Sequence, residues 1–276
     1  MGGLYACIAA GFSLVWGVLN VINILHGSFI VLGGYLAFFA YVKLGIHPFL
    51  SILIAAPVFY ALGYALQRSV INRMIAAPVL LTLSLTFGLD LMLSNAMLLA
   101  FTADFRKLSL DPPLGLLALG TVVVPIDRLI AMALALLLTA MLYFLLARSS
   151  IGRAIVAVRM DPEAASLMGI RVKQVYAVTF GLGALMAGAA GPLIATIYPI
   201  SPLSGPVYLG KAFVICVLGG LGSVPGAMVG GLALGVVESF GGLWFGPEHA
   251  ATLSFVLLIV VLLTRPTGIL GRKGYE

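Results

Sequence analysis

The sequence predicts an all-α, polytopic membrane helix bundle with about eight or nine transmembrane helices. Two observations carry that expectation. Of 276 residues, 62% are hydrophobic and only 9% are charged, whereas soluble domains run near half apolar and a quarter charged; the mean hydropathy is +1.18. The apolar residues also form continuous runs that do not alternate with polar ones, which favours helices over barrel strands. At about 20 residues per span, eight or nine spans use about 160–180 residues. Little remains for a soluble domain, so 1–276 reads as one transmembrane domain. Fibrous, disordered and disulfide-framework classes are excluded too, since Cys7 and Cys216 both lie inside apolar runs.

The runs fall at about 2–19, 27–43, 48–67, 76–101, 128–147, 176–197, 207–221, 224–241 and 249–264. The first lacks a basic leading region and continues into more membrane sequence, which argues against a cleavable signal peptide. Ala6 stands where a myristoylation signal needs Ser or Thr. The formal charge of +6 is read through its distribution: Lys and Arg lie between apolar runs and form no basic stripe, so nucleic acid is not implied. Arg68 and Arg73 share one connection, Arg148 to Lys173 a second, and Arg265, Arg272 and Lys273 the tail. Two spans separate the first group from the second and four separate the second from the tail. All three then lie on one face, which the positive-inside rule makes cytoplasmic. Segments 102–127, with Asp104, Asp111 and Asp127, and 198–206 fall on the other face.

Residues 20–26 leave the topology of the N-terminal end open. Asn20, Asn23 and His26 followed by Gly27 interrupt the apolar pattern, and such groups are costly in hydrocarbon unless they face a cavity or a partner. The segment reads either as a broken helix bordering a polar path or as an ordinary interfacial connection. Treated as a break within the membrane, it lowers the count to eight and moves the N-terminus to the other side. The second interruption runs Leu218-Gly219-Gly220-Leu221-Gly222-Ser223-Val224-Pro225-Gly226. Its glycines and Pro225 predict a tight turn or re-entrant hairpin. Gly222, Gly226 and Gly230 recur every fourth residue, and Gly181 to Gly191 make a similar small-residue face; both read as close helix packing. Asp90, near Ser84, Thr86 and Asn95, is an acid inside an apolar run, a candidate for a polar pathway or for a hydrogen bond between helices. Lys211, near the start of its span, reads as able to snorkel, and Glu238 and Glu248 as interfacial.

Within the basic segment at about 148–175, Asp161 suits an N-cap, Pro162 the first helical position, Glu163 the positive helix end and Gly169 the stop. A helix of about two turns is expected, presenting Ala164, Ala165, Leu167 and Met168 either to a partner's groove or to the membrane surface. Catalytic groupings are missing: there is no phosphate-binding loop, His26, His47 and His249 have no metal-ligand spacing, and no serine–histidine elbow or paired membrane acids occur. No catalytic, metal or cofactor site is expected.

In order and spacing, Gly11-Phe-Ser-Leu-Val-Trp-Gly17, Asn23-Ile-Leu-His26-Gly27, Gly33-Gly34-Tyr35, Gly152-Arg153-Ala154, Glu163 to Ile170, and Val217 to Gly226 resemble the LivH-type permease subunits of branched-chain amino acid ABC importers. The resemblance covers nearly the whole chain, with one departure: relatives often carry a short segment before the first span. It implies the importer permease fold and a pairing with a second, related permease subunit. It also implies cytoplasmic ATPase subunits docked on Asp161, Glu163, Ala164, Ala165, Leu167, Met168 and Gly169. An extracytoplasmic binding protein would deliver Leu, Ile or Val, and the chain would sit in the cell inner membrane with its C-terminus cytoplasmic. Asn23, His26 and Asp90 are expected to border the path, and Gly219, Gly220, Gly222, Pro225, Gly226 and Gly230 to form a packed helix break. Sister systems for urea, short amides or other amino acids, and a stand-alone ion-coupled carrier built around Asp90, are the alternatives.

Overall fold

The computed structural model describes residues 1–75, 77–110, 115–119, 122–246, 250–265 and 268–270. Asp111, Glu248, His249, Arg272 and Lys273 therefore lie outside the described residues. The helices are α1 (Gly2–Leu19), α2 (Leu25–Leu44), α3 (Ile52–Ser69), α4 (Val79–Phe101), α5 (Ile126–Arg148), α6 (Ser150–Met160), α7 (Pro162–Leu167), α8 (Val172–Ile197), α9 (Gly205–Gly219), α10 (Val224–Phe245) and α11 (Ala250–Thr264). Among the described residues eight helices are long and apolar enough to cross a membrane, and α11 is a shorter apolar helix. The segment 102–127 adds a small antiparallel hairpin, Leu116–Leu119 with Val122–Pro125.

Helices α1 and α8 form the axis and are buried along nearly their whole length, as expected of helices apolar on every face. The bundle wraps them: α2 and α3 lie on α8, while α10, α9 and α5 lie on α1. Glycine makes the approaches possible. At Gly33 a Cβ would sit 2.3 Å from the Gly188 carbonyl oxygen, and at Gly183 it would meet Val15 Cγ2 at 2.4 Å. Small residues at helical spacing thus set α1 and α2 directly against α8. The outer faces of α4, α5 and α11 expose Leu80, Met92, Leu99, Phe144 and Leu263, a surface suited to lipid or to another membrane subunit.

Three contacts bring the basic segments to one end. Asn72 Nδ2 donates to the Lys173 carbonyl at 3.1 Å. Arg159 donates to the Gly222 carbonyl at 2.8 Å. Past α11, the Ile269 and Leu270 amides donate to the Leu218 and Gly219 carbonyls at 2.8 and 3.1 Å. At the other end Arg106 and Ile200 exchange two backbone hydrogen bonds of 2.8 Å, joining the two segments expected there. The start of α1 lies near Tyr198 and Pro199, opposite the basic end, so residues 20–24 link α1 to α2 without moving the N-terminus to the basic side.

Candidate functional site

Helix α1 closes at Asn20, which takes the left-handed conformation with φ 53° and donates its amide to the Trp16 carbonyl. Asn20 is exposed, and the chain then turns back toward the interior. Val21 and Asn23 are buried, and His26, fully buried, reaches back along α1 so that its Nε2 donates to the Ile8 carbonyl at 3.0 Å. Irregular backbone inside a bundle needs partners. Thr86 of α4 supplies them: its hydroxyl donates to the Ile22 carbonyl at 2.8 Å and faces the Ile24 amide at 3.5 Å. The segment 20–24 is thus a partly buried connection between α1 and α2, held by Thr86. Both polar atoms of the Asn23 side chain and Nδ1 of His26 are buried without a hydrogen-bond partner.

Asp90 sits on the seam between α2 and α4. It accepts a hydrogen bond from the Ser28 hydroxyl at 2.5 Å, and Ser28 also meets Ser94 at 3.0 Å. The structure therefore places the three expected pathway residues on one stretch of interior without joining them. His26 turns to α1 and Asp90 to Ser28.

At the basic end the Asp161 carboxylate accepts from the Glu163 and Ala164 amides at 2.9 and 3.0 Å, and Pro162 opens α7. Gly169 ends the segment with φ +84°, a left-handed position that favours glycine. Leu167 is 89% and Met168 83% exposed. Ala165 departs from the expectation: it is 5% exposed and faces the protein, because a six-residue helix docked on its neighbours must turn one side inward. The sequence also read residues before Asp161 as loop. They form α6, capped by the Ser149 hydroxyl, which accepts the Gly152 amide at 2.9 Å, with Ile155 and Val158 packed inward. Replacing Asp161 by Ala removes both cap bonds at a cost of about 1 kcal/mol. Amide exchange at Glu163 and Ala164 should then quicken about five-fold, read by hydrogen–deuterium exchange.

The glycine-rich interruption is a turn. Gly220 and Gly222 have φ +99° and +75°, and Ser223 caps α10 by accepting the Gly226 amide at 3.0 Å, with Pro225 in its first turn. A Cβ on Gly219 or Gly226 would come within 2.2 or 2.1 Å of the other's carbonyl oxygen, and one on Gly230 within 2.9 Å of Ile215's. These residues hold α9 and α10 in close contact.

One cluster was missed. Lys211 reads as a snorkelling residue and Glu238 as an interfacial one, yet they form an ion pair, with Lys211 Nζ 3.0 Å from Oε1 and from Oε2, and side chains 21% and 8% exposed. Tyr5 donates to Glu238 Oε2 at 2.6 Å, Lys211 donates to the Tyr5 hydroxyl at 2.5 Å, and Ser254 donates to Glu238 Oε1 at 2.6 Å. Four helices contribute. The signal available in the sequence was one acid and one base, each about two turns inside apolar helices that a tight turn makes neighbours.

Apolar helices around a glycine-lined axis, with an ion pair set between two of them, define a polytopic membrane protein. The chain matches the family described as branched-chain amino acid transport system, permease component, over residues 1–262, and it belongs to that family. Similar proteins include the high-affinity branched-chain amino acid permease BraD of Pseudomonas aeruginosa, 35% identical over 100% of this chain and 94% of the relative. The corresponding LivH of Escherichia coli K12 is 34% identical over 100% of this chain and 94% of its own. A probable LivH of Methanocaldococcus jannaschii is 28% identical over 97% and 89%. No solved structure matches.

Proposed function

We propose that this chain is the permease subunit of an ATP-driven ABC importer for leucine, isoleucine and valine in the cell inner membrane. It pairs with a second, related permease subunit. Separate ATPase subunits engage α7 at the basic, cytoplasmic end, where the C-terminus also lies, and an extracytoplasmic binding protein engages the opposite end. The observation that carries the reading is α7 itself. Its capped helix leaves two large apolar side chains exposed, in a chain similar along its full length to named branched-chain amino acid permeases. A short helix with exposed apolar anchors fills a partner's groove. Closure of the ATPase pair then shifts the permease between outward and inward states by differential contact with each. The polar interior at Asn23, His26 and Asp90 borders the path.

The test is uptake of labelled leucine into proteoliposomes holding this chain with its ATPases, second permease and binding protein. Uptake should require ATP, and Asp90→Asn should lower it about ten-fold if a charge in the path is lost. Uptake that survives ATP depletion and collapses with an ion gradient would overturn the reading in favour of a gradient-driven carrier. ATP-dependent uptake of urea or short amides, with leucine ignored, would keep the class and change the cargo.

A further inference from the structure

Between α1, α9, α10 and the end of α8 lies a cavity of about 650 Å³, at the end of the bundle opposite the basic segments. Its size is within the roughly 300–1,000 Å³ of small-molecule sites. Most of the wall is aliphatic, from Leu4, Ile8, Ile194, Val207 and Leu243, and one side is polar, from Tyr5, Tyr198, Lys211 and Glu238. An apolar hollow with a few convergent polar groups is the usual form of a ligand site.

The polar side holds two charges of opposite sign. Burying an ion pair in a membrane protein costs several kcal/mol in lost hydration, and an apolar pair of equal volume would often be as stable. A mere strut between α9 and α10 gives no reason for a hollow beside it. A ligand does. Each charge has a complement in an α-amino acid zwitterion, and the aliphatic wall has a complement in a branched side chain.

We propose that this cavity is an amino-acid site in which the Lys211–Glu238 pair opens to receive a zwitterion. The substrate carboxylate takes the Lys211 ammonium, and the substrate ammonium takes the Glu238 carboxylate with the Tyr5 hydroxyl beside it. The branched side chain lies along Leu4, Ile8 and Ile194. In the empty site the two charges neutralise each other, so neither is left buried alone. In the filled site each has a new partner, so net charge stays zero throughout. Neutral solutes such as urea or a sugar cannot replace either partner and would leave the pair closed. The proposal rests on the importer reading above and adds to it the station where cargo is first held inside the membrane.

The test uses the complete transporter in proteoliposomes with labelled leucine. The first variant, Lys211→Met with Glu238→Gln, drops both charges and keeps the volume. The second, Lys211→Glu with Glu238→Lys, keeps a pair but reverses it against the aliphatic wall. The third, Val207→Trp, fills the hollow and leaves the pair intact. At equal insertion all three should lose leucine uptake by about 30-fold or more, the loss expected when a buried charged contact is removed or blocked. Recovery of uptake in the reversed pair, with loss only in the neutral one, would make the pair a strut and overturn the proposal. Normal uptake in Val207→Trp would overturn it even if the charge variants failed to insert. Were the parent transporter itself to ignore leucine in the presence of ATP, the importer reading would fail first and the proposal with it.

Discussion

Leu167→Glu combined with Met168→Glu is expected to abolish ATP-driven uptake while leaving the permease folded. Both side chains are almost wholly exposed, so little internal contact is lost, and neither takes part in the Asp161 cap. Against a partner's groove the balance reverses. Burying a Leu or Met side chain is worth about 1.5–3 kcal/mol each, and placing a carboxylate there adds a desolvation cost. Docking should weaken by more than about 100-fold. Co-purification of the ATPase subunits with the tagged permease reads this directly, with uptake measured alongside. Retained ATPase at wild-type ratio would show that α7 lies on the membrane surface and does not couple.

The largest effect on the fold is expected from Gly191→Val. A Cβ there would meet the Ile30 carbonyl oxygen at 2.3 Å, the Gly34 nitrogen at 2.4 Å and the Gly33 carbonyl carbon at 2.7 Å. All three are backbone atoms of α2, so no rotamer change relieves the clash, and α2 must separate from α8 over its central turns. Overpacking of this kind costs about 3 kcal/mol or more. The variant should fail to accumulate in membranes, or melt far below the parent in detergent. Gly88→Ala is the matched control. Nothing lies within 4 Å of a Cβ at Gly88, and since alanine favours a helix over glycine, its melting temperature should be no lower than the parent's.

Much of this architecture was legible because its causes are local. Continuous apolar runs mark the helices, and Asp161, Pro162 and Gly169 mark both ends of α7. Periodic glycines in 181–191 and 219–230 mark where backbones approach. What stayed hidden depends on partners distant in sequence. Asn23 and His26 were conspicuous, but nothing near them points to the Thr86 hydroxyl or to the Ile8 carbonyl. Helix α6 was obscured because its arginines made an amphipathic helix look like a charged connection. Lys211 and Glu238 each look innocent alone. Only the turn at Gly220–Ser223 reveals that they face one another.

That turn has a mechanical consequence. Arg159 grips it from α6, directly before α7, and Ile269 and Leu270 grip it from the tail. Just above it α9 and α10 touch through Gly219 with Gly226 and Ile215 with Gly230, so the two helices meet like the blades of scissors riveted near one end. Lys211 lies about one turn beyond the rivet and Glu238 about two turns, or about 6 and 12 Å. A push on the handles that alters the blade angle by about 10° parts the tips by roughly 2 Å, enough to break a hydrogen bond. A change of angle at this turn would therefore be felt at the two charges without any helix having to unwind.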